Sequence, residues 1–183
     1  RMTAAYEGVI TISEDADLSG ARSVFLDAAA QALDALDVMR LAEGAHIVRD
    51  FEKRLARLEE QREEVKQHAP QIAADYRAHL TAVLAEFRAV MPDETRIMQE
   101  AALYADRVNV TEELVRLASH FAQFRTILAE EEPVGRRLDF LLQEINRETN
   151  TIGSKVNSAA IQQVVVAMKN EVEKLREQVQ NLE

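Results

Sequence analysis

The fold is decided by residues 135–155, which read GRRLDFLLQEINRETNTIGSK. At about 3.6 residues per turn, this stretch places its large aliphatic side chains on one face of a helix. The other faces carry Arg, Asp, Gln, Asn, Thr and Ser, several of which are mediocre helix formers. The pattern predicts an amphipathic helix that packs on a core through Leu138, Leu141, Leu142, Ile145 and Ile152.

The polar side chains of this helix fall into two neighbouring stripes. In this helix, hydrogen-bonding residues stand where residues of higher helix propensity would be more stable. Such a choice indicates either a functional surface or a buried polar network between packed helices. Both interpretations stay open on the pattern alone. The first stripe comprises Arg136, Asp139, Gln143, Arg147, Asn150 and Ser154, and the second comprises Glu144, Glu148, Thr151 and Lys155.

The segment before this helix contains a histidine that differs from the other three. His120 shares a helical face with Glu113 and Arg116, whereas the others lie in segments dominated by surface charge. A turn at Pro133 would fold the helix of His120 antiparallel to residues 135–155. The sequence therefore predicts a helical hairpin with polar side chains at its interface.

Because the rise per residue is the same in both helices of the hairpin, counting residues from the turn predicts which side chains lie opposite each other. Carboxylates with one neutral imidazole are ligands that Mg2+ or Mn2+ accepts. Such an ion beside basic side chains is typical of phosphodiester cleavage. The alternative is a structural Glu–Arg–His network between two packed helices. The counting brings together Glu113, His120, Glu144 and Glu148, with Arg116, Arg147 and Lys155 around them.

The C-terminal segment carries the clearest periodicity in the chain. Its apolar residues alternate steps of four and three, which makes an uninterrupted heptad stripe. The stripe predicts either a helix that packs on the core of its own chain or a coiled coil that joins subunits. Its members are Ile161, Val165, Met168, Val172, Leu175, Val179 and Leu182.

The rest of the chain is predicted to contain two further regions. Residues 1–18 form an acidic linker remnant in which residues 9–12 are the only plausible strand. Residues 19–92 form a helical middle region with a coiled-coil-like exterior, in which Gly44 marks a break or a close helix contact. Pro70 fits the first turn of another helix. Residues 93–183 form a C-terminal helical domain.

We therefore predict an all-α fold. It consists of elongated helical hairpins in a coiled-coil-like bundle, with a long C-terminal heptad helix and at most one short strand near the N-terminus. The composition agrees with this prediction, because 47% of the residues are apolar and 30% are charged, with only five Gly and three Pro.

Composition and charge exclude several function classes. The chain of 183 residues has no cysteine, which excludes thiolate chemistry and disulfides and favours a reducing cytoplasm. No apolar run approaches the roughly 20 residues of a membrane span. Phosphate-binding glycine loops, the GxSxG nucleophile motif and HExxH are absent. The net charge of -10 argues against general attraction to nucleic acid, so RNA binding needs a local basic site.

A family resemblance is carried most densely by residues 99–183. Residues 134–144 read VGRRLDFLLQE, residues 146–155 read NRETNTIGSK, and residues 173–183 read EKLREQVQNLE. These stretches strongly resemble the C-terminal signature of the YicC/YloC-like family, and the match is looser over residues 21–90. Other matching positions are residues 106–107, 112–117, 119–120 and 123–125.

The resemblance implies a bacterial, cytoplasmic endoribonuclease that depends on a divalent metal ion, Mn2+ or Mg2+, and assembles as a hexamer. It implies RNA as the partner and no membrane. For some relatives it also implies an exoribonuclease partner in the turnover of small regulatory RNA. Members of the family have an N-terminal domain that residues 1–183 lack. If RNA is gripped between the two parts, this fragment is expected to be weak or inactive.

Our hypothesis is metal-assisted RNA cleavage by the hairpin of residues 104–155. The rival hypotheses are an RNA-binding adaptor for an exoribonuclease and an oligomeric helical scaffold. The predicted metal ligands are Glu113, His120, Glu144 and Glu148, and the last three are also the predicted catalytic residues. The predicted RNA contacts are Arg116, Arg136, Arg137, Arg147 and Lys155, and the predicted orienting residues are Asp139, Gln143, Asn146, Asn150 and Ser154.

Overall fold

The computed structural model of the protein describes residues 19–86, 94–130, 132–180 and 182. Within these residues it has five helices and no strand, which confirms the all-α prediction. The predicted strand at residues 9–12 lies outside the described residues. The helices are α1 (Ser19–Glu86), α2 (Glu94–Arg107), α3 (Thr111–Leu128), α4 (Gly135–Lys155) and α5 (Ala159–Val179).

Helix α1 is longer than the sequence pattern predicts. The helix start expected at Pro70 is wrong, because α1 passes through this proline without a break. A proline inside a helix removes one backbone hydrogen bond and crowds the preceding turn. Val65 and Ile72 are buried in the same core on either side of Pro70, and this packing offsets the lost bond. The break or close contact expected at Gly44 is wrong too. Helix α1 continues, and apart from the neighbouring backbone of α1 itself no described atom lies within 4 Å of a Cβ built on Gly44.

The chain divides into two units between His46 and Ile47. In the first unit, the described residues 20–46 keep most of their large apolar side chains exposed, including Phe25 and Met39. The hydrophobic core belongs to the second unit, residues 47–183. The domain boundary predicted near residue 93 stays a prediction.

Helix α4 holds the second unit together, because it packs against both α3 and α5. Its predicted apolar face is confirmed. Each buried leucine or isoleucine contributes about 1.5–3 kcal/mol through loss of contact with water. The buried members are Leu138, Leu141, Leu142, Ile145 and Ile152.

The heptad stripe of α5 packs on the core of its own chain. Its six helical members are buried, and Leu182, just beyond the helix, is partly buried against the same core. The intramolecular interpretation of the stripe is therefore the one that this structure shows. The six residues are Ile161, Val165, Met168, Val172, Leu175 and Val179.

Within the second unit, α1 also contributes to the core. The rings of Phe51 on α1 and Phe124 on α3 meet edge to face, with centroids 5.6 Å apart and planes at 86°. Arg62 occupies a seam position of α1, and its Nη1 donates a hydrogen bond to the carbonyl of Leu114 at 3.2 Å. A polar side chain in this seam is tolerated because it reaches an acceptor.

Two glycines of α4 stand where neighbouring elements come close. A Cβ on Gly135 would lie 2.8 Å from the carbonyl oxygen of Leu182, and a Cβ on Gly153 would lie 3.0 Å from Cγ1 of Val165. The first distance is shorter than atoms can tolerate without movement. Because Gly135 has no side chain, the segment that follows α5 can pack closely against the first turn of α4.

The ion pair between Arg125 on α3 and Glu59 on α1 gives the fold a pH dependence. Nη1 and Nη2 of Arg125 lie 2.6 and 3.1 Å from the two carboxylate oxygens of Glu59. This hydrogen bonding lowers the pKa of Glu59 below its ordinary value of 4.5, against the opposing effect of burial. The ion pair therefore stabilises the fold at pH values above the ordinary pKa of Glu59. The stabilisation is lost as the pH falls through the lowered pKa of the folded state.

We expect Arg125→Met to reduce the free energy of unfolding by about 0.5–1 kcal/mol at neutral pH, because the pair is partly exposed. This difference from the wild type should shrink as pH falls below the ordinary pKa of Glu59. Urea unfolding followed by circular dichroism over a pH series measures it. Arg49→Met removes an equal charge from an exposed position and is the control. A difference that stays constant from neutral to acid pH would contradict the assignment.

Candidate metal centre between two helices

Helices α3 and α4 form the antiparallel hairpin that the sequence predicts. Nζ of Lys155 lies 2.7 Å from Oε1 of Glu113, and Nη1 of Arg116 lies 3.2 Å from Oε1 of Glu148. His120, farther along α3, shares its cluster with the same Glu148. Residue numbers rise along α3 while those of their partners fall along α4. These contacts confirm the antiparallel arrangement. They bring His120 to Glu148, whereas Glu113 pairs with Lys155.

His120, Glu144 and Glu148 form a compact cluster in this hairpin. Each residue offers one ligand atom, and these atoms lie within 4.8 Å of one another. The two glutamates share a face because they stand one turn apart on α4. Glu148 is buried, with 3% of its surface exposed, whereas His120 and Glu144 are half-buried. The cluster is therefore anchored in the interface and still reached from solvent.

The donor atoms of this cluster fit a divalent cation. Nδ1 of His120 is buried and has no hydrogen-bond partner among the described residues. A buried polar atom without a partner costs free energy, so a ligand that engages this imidazole is favoured. One imidazole nitrogen and two carboxylate oxygens suit Mn2+, and they suit Mg2+ when water completes the shell. Three protein ligands also leave room for oxygen atoms of a substrate.

Arg116 lies at the edge of the cluster and contacts one of its carboxylates. Its Nη1 donates to Glu148, and its Nη2 donates to Glu112, which stands one turn earlier on α3. These bonds raise the pKa of the Arg116 guanidinium above its ordinary value, and the bond to Glu148 has the largest effect. Sequence reasoning misses Glu112, although its four-residue spacing from Arg116 is the signal that identifies such a partner.

Glu113 lies apart from the other three predicted metal ligands. Its Oε1 accepts a hydrogen bond from Nζ of Lys155, which also bonds with the carbonyl oxygen of Asn109 at 3.0 Å. These contacts fasten the end of α4 to the start of α3. Glu113 therefore falls outside the cluster of His120, Glu144 and Glu148, and its Oε1 is held by Lys155. The same contact neutralises Lys155, which the sequence assigns to phosphate binding.

A polar groove of about 430 Å³ lies along the exposed face of α4 beside the cluster. Its one charged side chain is Arg147, whose Nη1 lies 3.7 Å from Oε2 of Glu144. The amides of Asn146 and Asn150 are exposed and make no hydrogen bond with the described part of the chain. The groove thus offers neutral donors and acceptors next to the cluster. Its lining residues are Gln143, Asn146, Arg147, Asn150, Thr151 and Ser154.

The remaining predicted site residues lie near the start of α4. Asp139 accepts a hydrogen bond from Gln143 at 2.9 Å and faces Arg176 of α5 at 3.5 Å. This contact holds Gln143 at the edge of the groove.

The two arginines at the start of α4 differ in their partners. Arg137 forms an ion pair with Glu130, which raises the pKa of its guanidinium. Arg136 is exposed and has no ion-pair partner within the described ranges. Of these two predicted phosphate contacts, Arg136 therefore has the charge that the described residues leave unpaired.

The fold and the cluster together define an all-helical protein with a candidate metal centre in a helical hairpin. Residues 65–183 match the family model described as "Endoribonuclease YicC-like, C-terminal". The chain therefore belongs to the YicC-like endoribonuclease family, which confirms the resemblance seen in the sequence.

Two curated relatives carry the name "Probable endoribonuclease YicC". The one from Clostridioides difficile is 41% identical over 172 residues, which cover 93% of this chain and 58% of that protein. The one from Haemophilus influenzae is 35% identical over 178 residues, which cover 97% of this chain and 61% of that protein. The chain thus spans about three-fifths of the length of these relatives. Among the described helices, none combines the length and apolar character needed to cross a membrane.

Proposed function

We propose that this chain carries the metal-binding part of a metal-dependent endoribonuclease that cleaves RNA phosphodiester bonds. The observation that carries the proposal is the cluster of His120, Glu144 and Glu148. Within the described part of the chain, Nδ1 of this histidine is buried and has no hydrogen-bond partner. The names of the two relatives support endoribonuclease activity. The hexamer, the exoribonuclease partner, the turnover of small regulatory RNA and the cytoplasmic location stay predictions.

In this proposal His120, Glu144 and Glu148 hold Mn2+ or Mg2+. A bound ion of this kind activates water and offsets charge on the scissile phosphate. The burial of Glu148 strengthens its attraction for a cation, because the local dielectric constant is lower than in water. The half-buried positions of His120 and Glu144 leave the cluster reachable by an RNA strand. We leave Glu113 out of the ligand set, since Lys155 holds its carboxylate.

RNA is held by the surface next to the cluster. Arg136 and Arg147 are exposed cations on the same stripe of α4, and phosphate contacts of this kind set the position of the strand. The amides of Asn146 and Asn150 suit hydrogen bonds with sugar hydroxyls and base edges. Because the whole chain carries a net charge of -10, attraction for RNA depends on this local surface.

The groove on α4 also favours a second candidate function, an RNA-binding adaptor without catalytic activity. Its neutral donors and acceptors bind RNA without any need for a metal ion. The ion pair between Arg116 and Glu148 is also what a purely structural network contains. The adaptor differs from the nuclease in one measurable property: its RNA binding survives chelation and is never followed by cleavage.

Metal removal is the direct test of the proposed function. We expect EDTA to slow cleavage of a structured RNA by the full-length protein by at least about 100-fold, because the charge on the scissile phosphate is then no longer offset. Excess Mn2+ or Mg2+ should restore the activity. A gel assay with and without chelator measures cleavage, and RNA binding is measured in parallel. Cleavage that persists in EDTA contradicts the metal role, and binding without cleavage in either condition identifies the adaptor.

A further inference from the structure

We propose that Arg116 exchanges partners at this site. It neutralises Glu148 when no cation is bound, and it is released toward an RNA phosphate when a divalent cation takes that carboxylate. This inference rests on the proposed metal-binding function of the cluster. It makes Arg116 a positioning residue that couples the binding of metal to the binding of RNA.

The geometry places one carboxylate within reach of two kinds of cation. Oε1 of Glu148 accepts a hydrogen bond from Nη1 of Arg116 at 3.2 Å. The same glutamate supplies a ligand atom within 4.8 Å of those of His120 and Glu144. The side chain of Glu148 is 4% exposed, whereas that of Arg116 is 48% exposed. The carboxylate is therefore fixed in the interface, and the guanidinium is the partner that is free to move.

A second carboxylate keeps Arg116 near the site after the exchange. Glu112 bonds with Nη2 of Arg116 from one turn earlier on α3, so the guanidinium remains anchored when Glu148 is taken. Two positive charges on one carboxylate repel each other, which drives the guanidinium away from a bound cation. The released N–H groups belong to the planar guanidinium, whose paired donors match the oxygen atoms of a phosphate.

A cavity beside Arg116 can admit a phosphate to the N–H groups that metal binding releases. It has a volume of about 690 Å³. Besides Arg116 and Lys155, it is lined by the end of α2, the turn that follows and the start of α3, namely Asp106, Asn109, Thr111, Glu112 and Val115. Because Lys155 is held by Glu113, Arg116 is the lining cation that metal binding sets free. By thermodynamic linkage, RNA that engages this guanidinium tightens metal binding in return.

Metal affinity in the absence of RNA tests the first half of the exchange. We expect Arg116→Met in the full-length protein to bind Mn2+ roughly two- to fivefold more tightly than the wild type, because a partly exposed competing ion pair is removed. Isothermal titration calorimetry measures the affinity. Arg116→Lys keeps a positive charge and should remain close to the wild type. Arg49→Met removes an exposed guanidinium of α1, and it should leave the affinity unchanged.

The second half is tested by repeating the titration with an RNA whose phosphorothioate linkages resist cleavage. This RNA should tighten Mn2+ binding to the wild type by about fivefold or more, and the gain should disappear in Arg116→Met.

The possible results separate this inference from the proposed function. Unchanged or weaker Mn2+ binding by Arg116→Met, or an RNA effect that it retains, overturns the exchange while the metal site stands. Mn2+ binding by the wild type that Glu148→Gln does not weaken overturns the metal site and the exchange together. A merely structural role for Arg116 predicts weaker binding when it is removed, which is opposite in sign.

Discussion

His120→Ala is expected to reduce metal-dependent RNA cleavage by the full-length protein at least about 100-fold, because it removes one of three ligands from the proposed metal centre. The loss should appear as weaker Mn2+ binding and as a lower cleavage rate at saturating RNA. Glu148→Gln should have a similar effect, since it keeps the volume of the side chain and removes the charge that a cation requires. Cleavage rates over a Mn2+ titration measure both.

Two matched variants control for general effects of these substitutions. His79→Ala removes an exposed imidazole of α1, and Glu173→Gln removes an exposed carboxylate of α5. Both should cleave RNA at the wild-type rate. Thermal unfolding of all four variants shows whether His120→Ala and Glu148→Gln remain folded. If both cut RNA like the wild type, the cluster is structural and the metal centre lies elsewhere.

Phe124→Ala is expected to lower the free energy of unfolding by about 3–5 kcal/mol, because a large buried ring is removed and a cavity remains. Phe124 is fully buried, and its ring meets that of Phe51 edge to face. This contact joins α3 to α1 on the side of α3 that faces the core. Urea unfolding followed by circular dichroism gives the change in free energy and shows whether the cooperativity of unfolding is kept.

The matched control for this variant is Phe140→Ala. Phe140 is 64% exposed on α4, so its removal should change stability by no more than about 0.5 kcal/mol. Phe124→Leu keeps most of the buried volume and should cost about 1–2 kcal/mol, which provides a measurable variant if Phe124→Ala fails to fold. A loss below about 1 kcal/mol for Phe124→Ala would contradict the packing seen here.

Periodicity predicts the faces of the helices well, because burial in a helical protein follows the helical repeat. Ile145 and Ile152 are buried as expected, and so is the stripe of α5. The position of His120 along the hairpin also follows from the sequence, because the rise per residue is the same in both helices on either side of the turn. These inferences need only local spacing and the position of one turn.

The errors arise where distant packing decides the outcome. Pro70 is a local signal for a helix start, yet burial of the residues on both sides keeps α1 continuous. Equal rise along the hairpin places Glu113 in one polar cluster with both His120 and Lys155. Its partner, however, is Lys155 and not His120. Helical spacing gives the height of a side chain along the axis, whereas the choice between neighbouring partners depends on side-chain reach and on competing charges.

The close approach of Leu182 to Gly135 has a practical consequence for protein production. The carbonyl oxygen of Leu182 occupies space that any side chain at position 135 would need. A tag attached soon after Leu182 would begin close to the first turn of α4, where this carbonyl lies. Arg136 lies in that turn, so an acidic tag there would compete with RNA for a cation that is proposed to bind it. A tag is therefore better placed away from Leu182.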